Sequence, residues 1–166
     1  MTTTASGSRW CMAAEIKPRR ATPQDVPSVH ALVNEAFKKY IPLIGRKPLP
    51  MTADHAQLIA NHQVWVLGED GEIIAVLEMI TNADALYIDT VAVKNSHQSR
   101  GVGKGLLAFA EAQARRLGLP ALTLCTNERY QVLLAMYSKL GYVETHRVAV
   151  QGTDVVYMRK RLGGGA

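Results

Sequence analysis

The stretch HQSRGVGKGLLAFAEAQARRLGL, His97 to Leu119, places glycines at 101, 103 and 105 where a strand-like segment gives way to a helical one. Leu106, Leu107, Ala110, Ala114 and Leu117 recur at the spacing of one helix face, and Gly118 with Pro120 supplies the stop. Glycines ahead of a helix let an anion reach the open N–H groups of its first turn without a Cβ in the way. Arg100 and Lys104 add two cations. The stretch predicts a strand–loop–helix unit that holds a phosphate.

Upstream, Leu86 to Val93 (LYIDTVAV) is rich in β-branched residues and predicts the strand feeding the loop. Val64 to Leu67 and Ile73 to Ile80 flank Glu69-Asp70-Gly71 and predict a hairpin. Ile16 to Arg20 suits an edge strand. Thr22-Pro23-Gln24-Asp25 carries the cap, proline and acid of a helix start, with Val26, Val29, Val33, Ala36 and Phe37 following at helical spacing. Tyr40 to Pro50 (YIPLIGRKPLP) reads as a proline-rich loop, and a second helix is expected after Thr52, burying Leu58 and Ile59. Downstream come a strand from Ala121 to Cys125, a helix opened by Asn127 and ended by Gly141, and closing strands over Val143 to Val150 and Val155 to Arg161. This order predicts a mixed α/β fold, a mostly antiparallel sheet flanked by helices, with one parallel crossover through the glycine-led helix.

Three phosphate ligands compete for the glycine loop. A nucleotide P-loop requires G-x-x-x-x-G-K-[ST]; Lys104 is followed by Gly105, and Gln98 stands where the first glycine belongs. A dinucleotide fingerprint requires G-x-G-x-x-G, and Gly101-x-Gly103 runs into Leu106 instead. Gln98-Ser99-Arg100-Gly101-Val102-Gly103 fits Q/R-x-x-G-x-G/A, and an ordinary glycine-rich connection is the remaining alternative. With IDTVAV ahead of it and LCTNERYQVLLAMYSKLGY behind, the chain resembles the GNAT superfamily of N-acetyltransferases over about Ile16 to Leu162, most closely from Leu86 to Tyr142.

The resemblance implies a GNAT-like acyl-CoA N-acyltransferase fold and acetyl-CoA as cosubstrate, its acetyl group passing to a primary amine by direct attack in a ternary complex. It implies that Val91, Ala92 and Val93 run beside pantetheine, with the backbone of Val91 and Val93 pairing to it. Gln98 and Gly101, Val102, Gly103 and Lys104 would surround the pyrophosphate, with Arg100 as a charged flank. Asn127 would meet the cofactor arm, and Tyr137 would sit by the thioester sulfur as the acid. An amine attacks only when neutral, so a carboxylate is sought as base. Asp89, two and four residues before Val91 and Val93 and so expected on their strand face, is one candidate; Glu78 in AVLEMI is the other. A structural acid is the alternative for each, and plain packing the alternative for Tyr137. Arg46 and Lys47 suit either an acidic acceptor or a solvated loop.

Composition narrows the remaining classes. A chain of 166 residues suits one domain, here expected over 15–162, between a disordered leader at 1–14 and a flexible tail at 163–166. The opening residues lack the apolar run of a signal peptide or membrane span, so a cytoplasmic protein is expected. The net charge of +5 suits an anionic ligand. Nucleic acid is not expected, because the basic residues near 17–20 and 159–161 lack interleaved aromatics. Cys11 and Cys125 have no metal-ligand spacing, Cys125 reads as a packed thiol, and His30, His55, His62, His97 and His146 form no metal or triad grouping, so no metal is expected. A non-catalytic acyl-CoA sensor of the same fold is the principal rival, and the oligomeric state, a homodimer included, stays open.

Overall fold

The computed structural model describes residues 16–163. The leader expected at 1–14, Cys11 within it, and residues 164–166 of the tail lie outside the described residues. The strands are β1 (Arg19–Arg20), β2 (Gln63–Glu69), β3 (Glu72–Thr81), β4 (Leu86–Val93), β5 (Ala121–Asn127), β6 (Val143–Val150) and β7 (Thr153–Arg161). The helices are α1 (Val26–Phe37), single-turn α2 (Ile41–Ile44) and α3 (Leu49–Thr52), α4 (His55–Asn61), α5 (Val102–Arg116) and α6 (Gln131–Lys139). One sheet holds all seven strands in the order β1-β2-β3-β4-β5-β7-β6. Among the described residues only β4 and β5 run parallel, joined by α5, as the glycine-led crossover predicts.

The sheet behaves as two antiparallel halves. Asp70 and Gly71, both at positive φ (53° and 77°), close the β2–β3 hairpin, and Gln151 with Gly152 (48° and 89°) closes β6–β7. Two-residue turns of this hand match the strand twist. β4 follows β3 over nearly its whole length, and β5 follows β7 over all of its own. The halves meet only where Leu86, Tyr87 and Ile88 face Leu122, Thr123 and Leu124. One face buries Leu77, Met79, Leu86, Ile88 and Leu122 with Leu106 and Ala110 of α5. The other buries Val64, Val66, Val76 and Ala92 with Val29, Leu32 and Val33 of α1.

Three local expectations are corrected. Tyr40 to Pro50 is no plain loop: it holds α2 and the start of α3, because Pro42 and Pro50 occupy first-turn positions that need no N–H donor. Gly45 at φ 72° ends α2. The helix after Thr52 is capped by Asp54, whose carboxylate accepts the Gln57 N–H at 3.1 Å, and it buries Ile59 while Leu58 is only half-buried. Asn127 does not open α6 but ends β5. Its Oδ1 accepts the Arg129 N–H (3.0 Å) and its Nδ2 donates to Thr153 Oγ1 (2.8 Å), a turn that delays the helix to Gln131.

The start of α1 follows its expected chemistry. Asp25 accepts from the Thr22 N–H at 2.8 Å and is paired by the Arg19 guanidinium at 2.8 and 2.9 Å. The Arg19 hydrogen bond leads in pulling the Asp25 carboxyl down to about 2. Asp25→Ala should cost about 1 kcal/mol in denaturant unfolding at neutral pH, through loss of the hydrogen bonds from the Thr22 N–H and Arg19. The ionised carboxylate stabilises fully above its unfolded value near ~3.9 and loses its effect as pH falls toward about 2, so the gap between parent and variant should close over that window.

Candidate functional site

Beyond Ile88, β4 keeps its β3 partner but no longer pairs with β5, and the strands part. The parting opens a cleft of about 630 Å³, a size ordinary for small-molecule sites. β4 residues Asp89 to Val93, the glycine loop, the end of β5 and one side of α6 form its walls, with the α1–α3 segment across from them. The first intrahelical bond of α5 runs from the Gly105 N–H to the Gly101 carbonyl at 3.0 Å, so the N–H groups of Val102, Gly103 and Lys104 have no acceptor within the helix. All three residues line the cleft.

The three glycines answer to different demands. Gly101 caps α5 at φ 82°, a backbone conformation that side chains disfavour. Gly105 is required by packing: a Cβ there would stand 1.7 Å from Ile16 Cδ1 and 2.9 Å from its Cγ1. Gly103 has neither reason. Its φ is not positive, and the nearest atom to an added Cβ is Val93 Cγ2 at 4.0 Å. A Cβ at 103 would thus meet no atom outside its own helix closer than 4.0 Å, on the wall of the cleft.

The loop is braced from below. Gln98 Nε2 donates to the Val93 carbonyl and to Asn95 Oδ1, both at 3.0 Å, while Lys39 Nζ donates to Gln98 Oε1 at 2.6 Å. The Gln98 side chain is thus engaged in fixing the loop to the end of β4. Arg100 is exposed and outside the cleft lining, whereas Lys104 and Lys39 are within it. Lys39, missed in the sequence because it sits at the end of an ordinary amphipathic helix, reaches the loop across 59 residues of chain.

Asp89 occupies a position that strict alternation does not anticipate. Glu78 pairs with Thr90 while Met79 pairs with Ile88, so Asp89 is the extra residue of a β-bulge. The bulge reverses the parity of β4: Leu86 and Ile88 share a face with Val91 and Val93, and Ala92 turns to the α1 side. Asp89 does not continue the face of Val91 and Val93. Its charged neighbours are Glu78, His55 and His62, and desolvation first, then the Glu78 carboxylate, pushes its carboxyl up.

Glu78 is fully buried and does not line the cleft, so it cannot touch an acceptor there. Its Oε2 lies 2.7 Å from His55 Nδ1, and His55 Nε2 donates to the Pro50 carbonyl at 3.1 Å. With Nε2 committed to a carbonyl, the shared proton sits between Nδ1 and Glu78. Burial alone would lower the imidazole, but the Glu78 hydrogen bond and charge outweigh it and raise it overall. The pair ties α3 and α4 to the middle of β3, directly behind Asp89.

Tyr137 lines the cleft from α6, and burial keeps its phenol protonated well beyond the ordinary range. Tyr40 packs against Tyr130 with ring centroids 4.3 Å apart and planes tilted by 35°, and both line the cleft. The Cys125 thiol is half-buried, pushed up by burial and paired with the Tyr87 hydroxyl at 3.2 Å, an inert environment for a nucleophile. Among the described residues no His, Cys, Asp or Glu cluster is arranged for a metal, and no helix is long and apolar enough to cross a membrane.

Comparison with known proteins converges on one family. The model of the Acetyltransferase (GNAT) family matches residues 29–142. S-(2-succino)cysteine N-acetyltransferase of Bacillus subtilis is 28% identical over 147 residues, 79% of this chain and 88% of that protein. The PaiA N-acetyltransferase of Thermoplasma acidophilum, solved in complex with coenzyme A, superposes with a TM-score of 0.74 at 17% identity, covering 89% of this chain and 99% of that one. The structure of yncA from Salmonella typhimurium with its cofactor acetyl-CoA gives a TM-score of 0.68 at 18% identity, over 91% and 96% of the two chains. The parted strands, the glycine-led helix and these matches agree: the chain belongs to the GNAT family and is an N-acetyltransferase.

Proposed function

We propose that the cleft takes acetyl-CoA with its pyrophosphate on the first turn of α5 and its pantetheine arm along the parted edge of β4, and that the acetyl group passes directly to an amine in a ternary complex. The observation that carries this reading is Gly103, a glycine without steric reason in the fold, set among N–H groups with no helical acceptor. Lys104 and Lys39 supply charge at that end. The unpaired β4 edge at Val91, Ala92 and Val93 offers backbone groups to the amide-bearing arm, although the Val93 carbonyl is already held by Gln98. Asn127, its side chain engaged with Thr153 and Arg129, serves by holding the far wall in place. Arg100 contributes only diffuse charge.

Asp89 is the base in this reading. Deprotonating a lysine-like amine at pH 7 costs about 4–5 kcal/mol, and a desolvated carboxylate beside a second acid is a better proton acceptor than a free aspartate. Glu78 acts through Asp89 and His55 and not on substrate. An N–H of the open β4 edge meets the charge developing on the thioester oxygen. Tyr137 delivers its proton to the sulfur as the C–S bond breaks, so no thiolate is released bare. The Bacillus relative, named for an amino-acid substrate, supports a small soluble amine over a protein as acceptor.

Four variants test these assignments. Gly103→Val should keep the thermal midpoint near that of the parent and abolish acetyl-CoA binding in calorimetry; normal binding would remove the loop from the site. Gly105→Val should instead lower stability by roughly 1–3 kcal/mol through overpacking against Ile16. Tyr137→Phe should cut turnover by about 10²–10⁴ if protonation limits the rate, and unchanged single-turnover chemistry would reduce Tyr137 to packing. The parent kcat/KM should fall as pH drops through the raised Asp89 value. Asp89→Asn should lose that limb, be slow at neutral pH and recover at high pH where the amine is already neutral. Coincident profiles for parent and Asp89→Asn would exclude it as the base.

A further inference from the structure

We infer that Arg46 is the specificity-determining residue of the acceptor site and that the acceptor carries a carboxylate close to its amine. This rests on the acetyl-transfer reading of the cleft and names the acceptor's chemical class.

The charges lining the cleft are unevenly placed. Lys39 and Lys104 stand at the glycine loop, where Lys39 is bonded to Gln98. Among the described residues Asp89 is the single acid of the lining, at the bulge of β4. Arg46 is the remaining permanent cation. It comes from the segment between α2 and α3 and faces Tyr130, whose phenol feels its charge. Tyr130 packs against Tyr40, and Tyr40 in turn neighbours Tyr137. Arg46 is therefore linked through these aromatic rings to the tyrosine assigned to the departing sulfur.

The Arg46 Nε–H is buried and has no hydrogen-bond partner, and no described carboxylate pairs with this guanidinium. Arg46 as a whole is half-buried, but a covered charged donor without an acceptor is still costly, and proteins keep such a group where something else completes it. The segment is also held in place around it. Arg129 donates to the Leu43 carbonyl at 2.9 Å, and His55 Nε2 donates to the Pro50 carbonyl at 3.1 Å. A guanidinium so placed presents parallel N–H groups to a planar anion, for which a carboxylate is the natural fit. Asp89 would repel that carboxylate and attract the ammonium, so the two charges orient the acceptor with its amine toward Asp89 and its acid toward Arg46.

The test uses acceptors and a dead-end ligand on the full chain. Acetylation should favour amino acids and S-(2-succino)cysteine over their carboxamides, and the preference should fall about 10- to 100-fold in Arg46→Gln while the KM for acetyl-CoA stays unchanged. Arg46→Lys, which keeps the charge and loses the fork, should fall between. Succinate should bind the parent–CoA complex and fail to bind Arg46→Gln. Equal rates for acids and amides in the parent, undiminished succinate binding to Arg46→Gln, or weakened CoA binding by that variant would overturn the assignment, the last by giving Arg46 to the cosubstrate's phosphates. Absence of acetyl transfer to every amine, with succinate binding still dependent on Arg46, would sink the acetyl-transfer reading and leave the carboxylate site standing.

Discussion

The separation of β4 from β5 after a ladder of three residue pairs governs the rest of the molecule. Each strand is committed elsewhere: β4 to β3, and β5 to β7 along its full length. The two halves twist with their own partners, and the short parallel ladder cannot hold them together beyond Ile88. Backbone groups that a continuous sheet would satisfy internally are left facing the cleft. Because unpaired buried backbone is costly, a strand edge of this kind calls for a ligand that can supply amides of its own. The crossover helix α5 must then start at the open end, which brings its N-terminal N–H groups to the same place.

The bulge at Asp89 is the second consequence of the same geometry. It falls at the point of separation, where β4 is released from β5 on one side while still paired to β3 on the other. By reversing the parity of the strand it lets Val91 and Val93 face the α5 side and leaves Asp89 among Glu78, His55 and His62. One irregular residue thus separates the half of β4 that builds core from the half that builds the site. The buried His55–Glu78 pair behind it is satisfied at both ring nitrogens, so it fixes the segment carrying Pro50 as well as the acid's surroundings.

Much of this architecture was legible in the chain. The bounds of β4 followed from its β-branched run, both hairpins from their turn residues, and the loop from glycines whose spacing excluded two nucleotide motifs. What stayed hidden depended on contacts far apart in sequence. Nothing in AVLEMI marks Glu78 as sealed from the cleft, because its partner His55 lies 23 residues away on α4. Strict alternation put Asp89 on the wrong face, since a bulge leaves no local signal in DTV. Gln98 and Asn127 matched family positions, yet their side chains are engaged in holding the loop and the end of β5. Lys39 and Arg46 reach the cleft only because the α1–α3 segment folds across it. Arg46 stood in a stretch whose prolines read as loop, and only the structure shows its donor without a partner.

The central claim is that the parted β4 edge and the first turn of α5 form one binding surface for the cosubstrate. Amide hydrogen exchange with and without coenzyme A tests it directly. Amides of Val102, Gly103 and Lys104, and those of residues 89–93 that face the cleft, should gain protection together on binding, while Leu86, Tyr87 and Ile88 are protected in both states. Saturating coenzyme A that leaves both segments exchanging at their free rates, with protection appearing elsewhere, would contradict it.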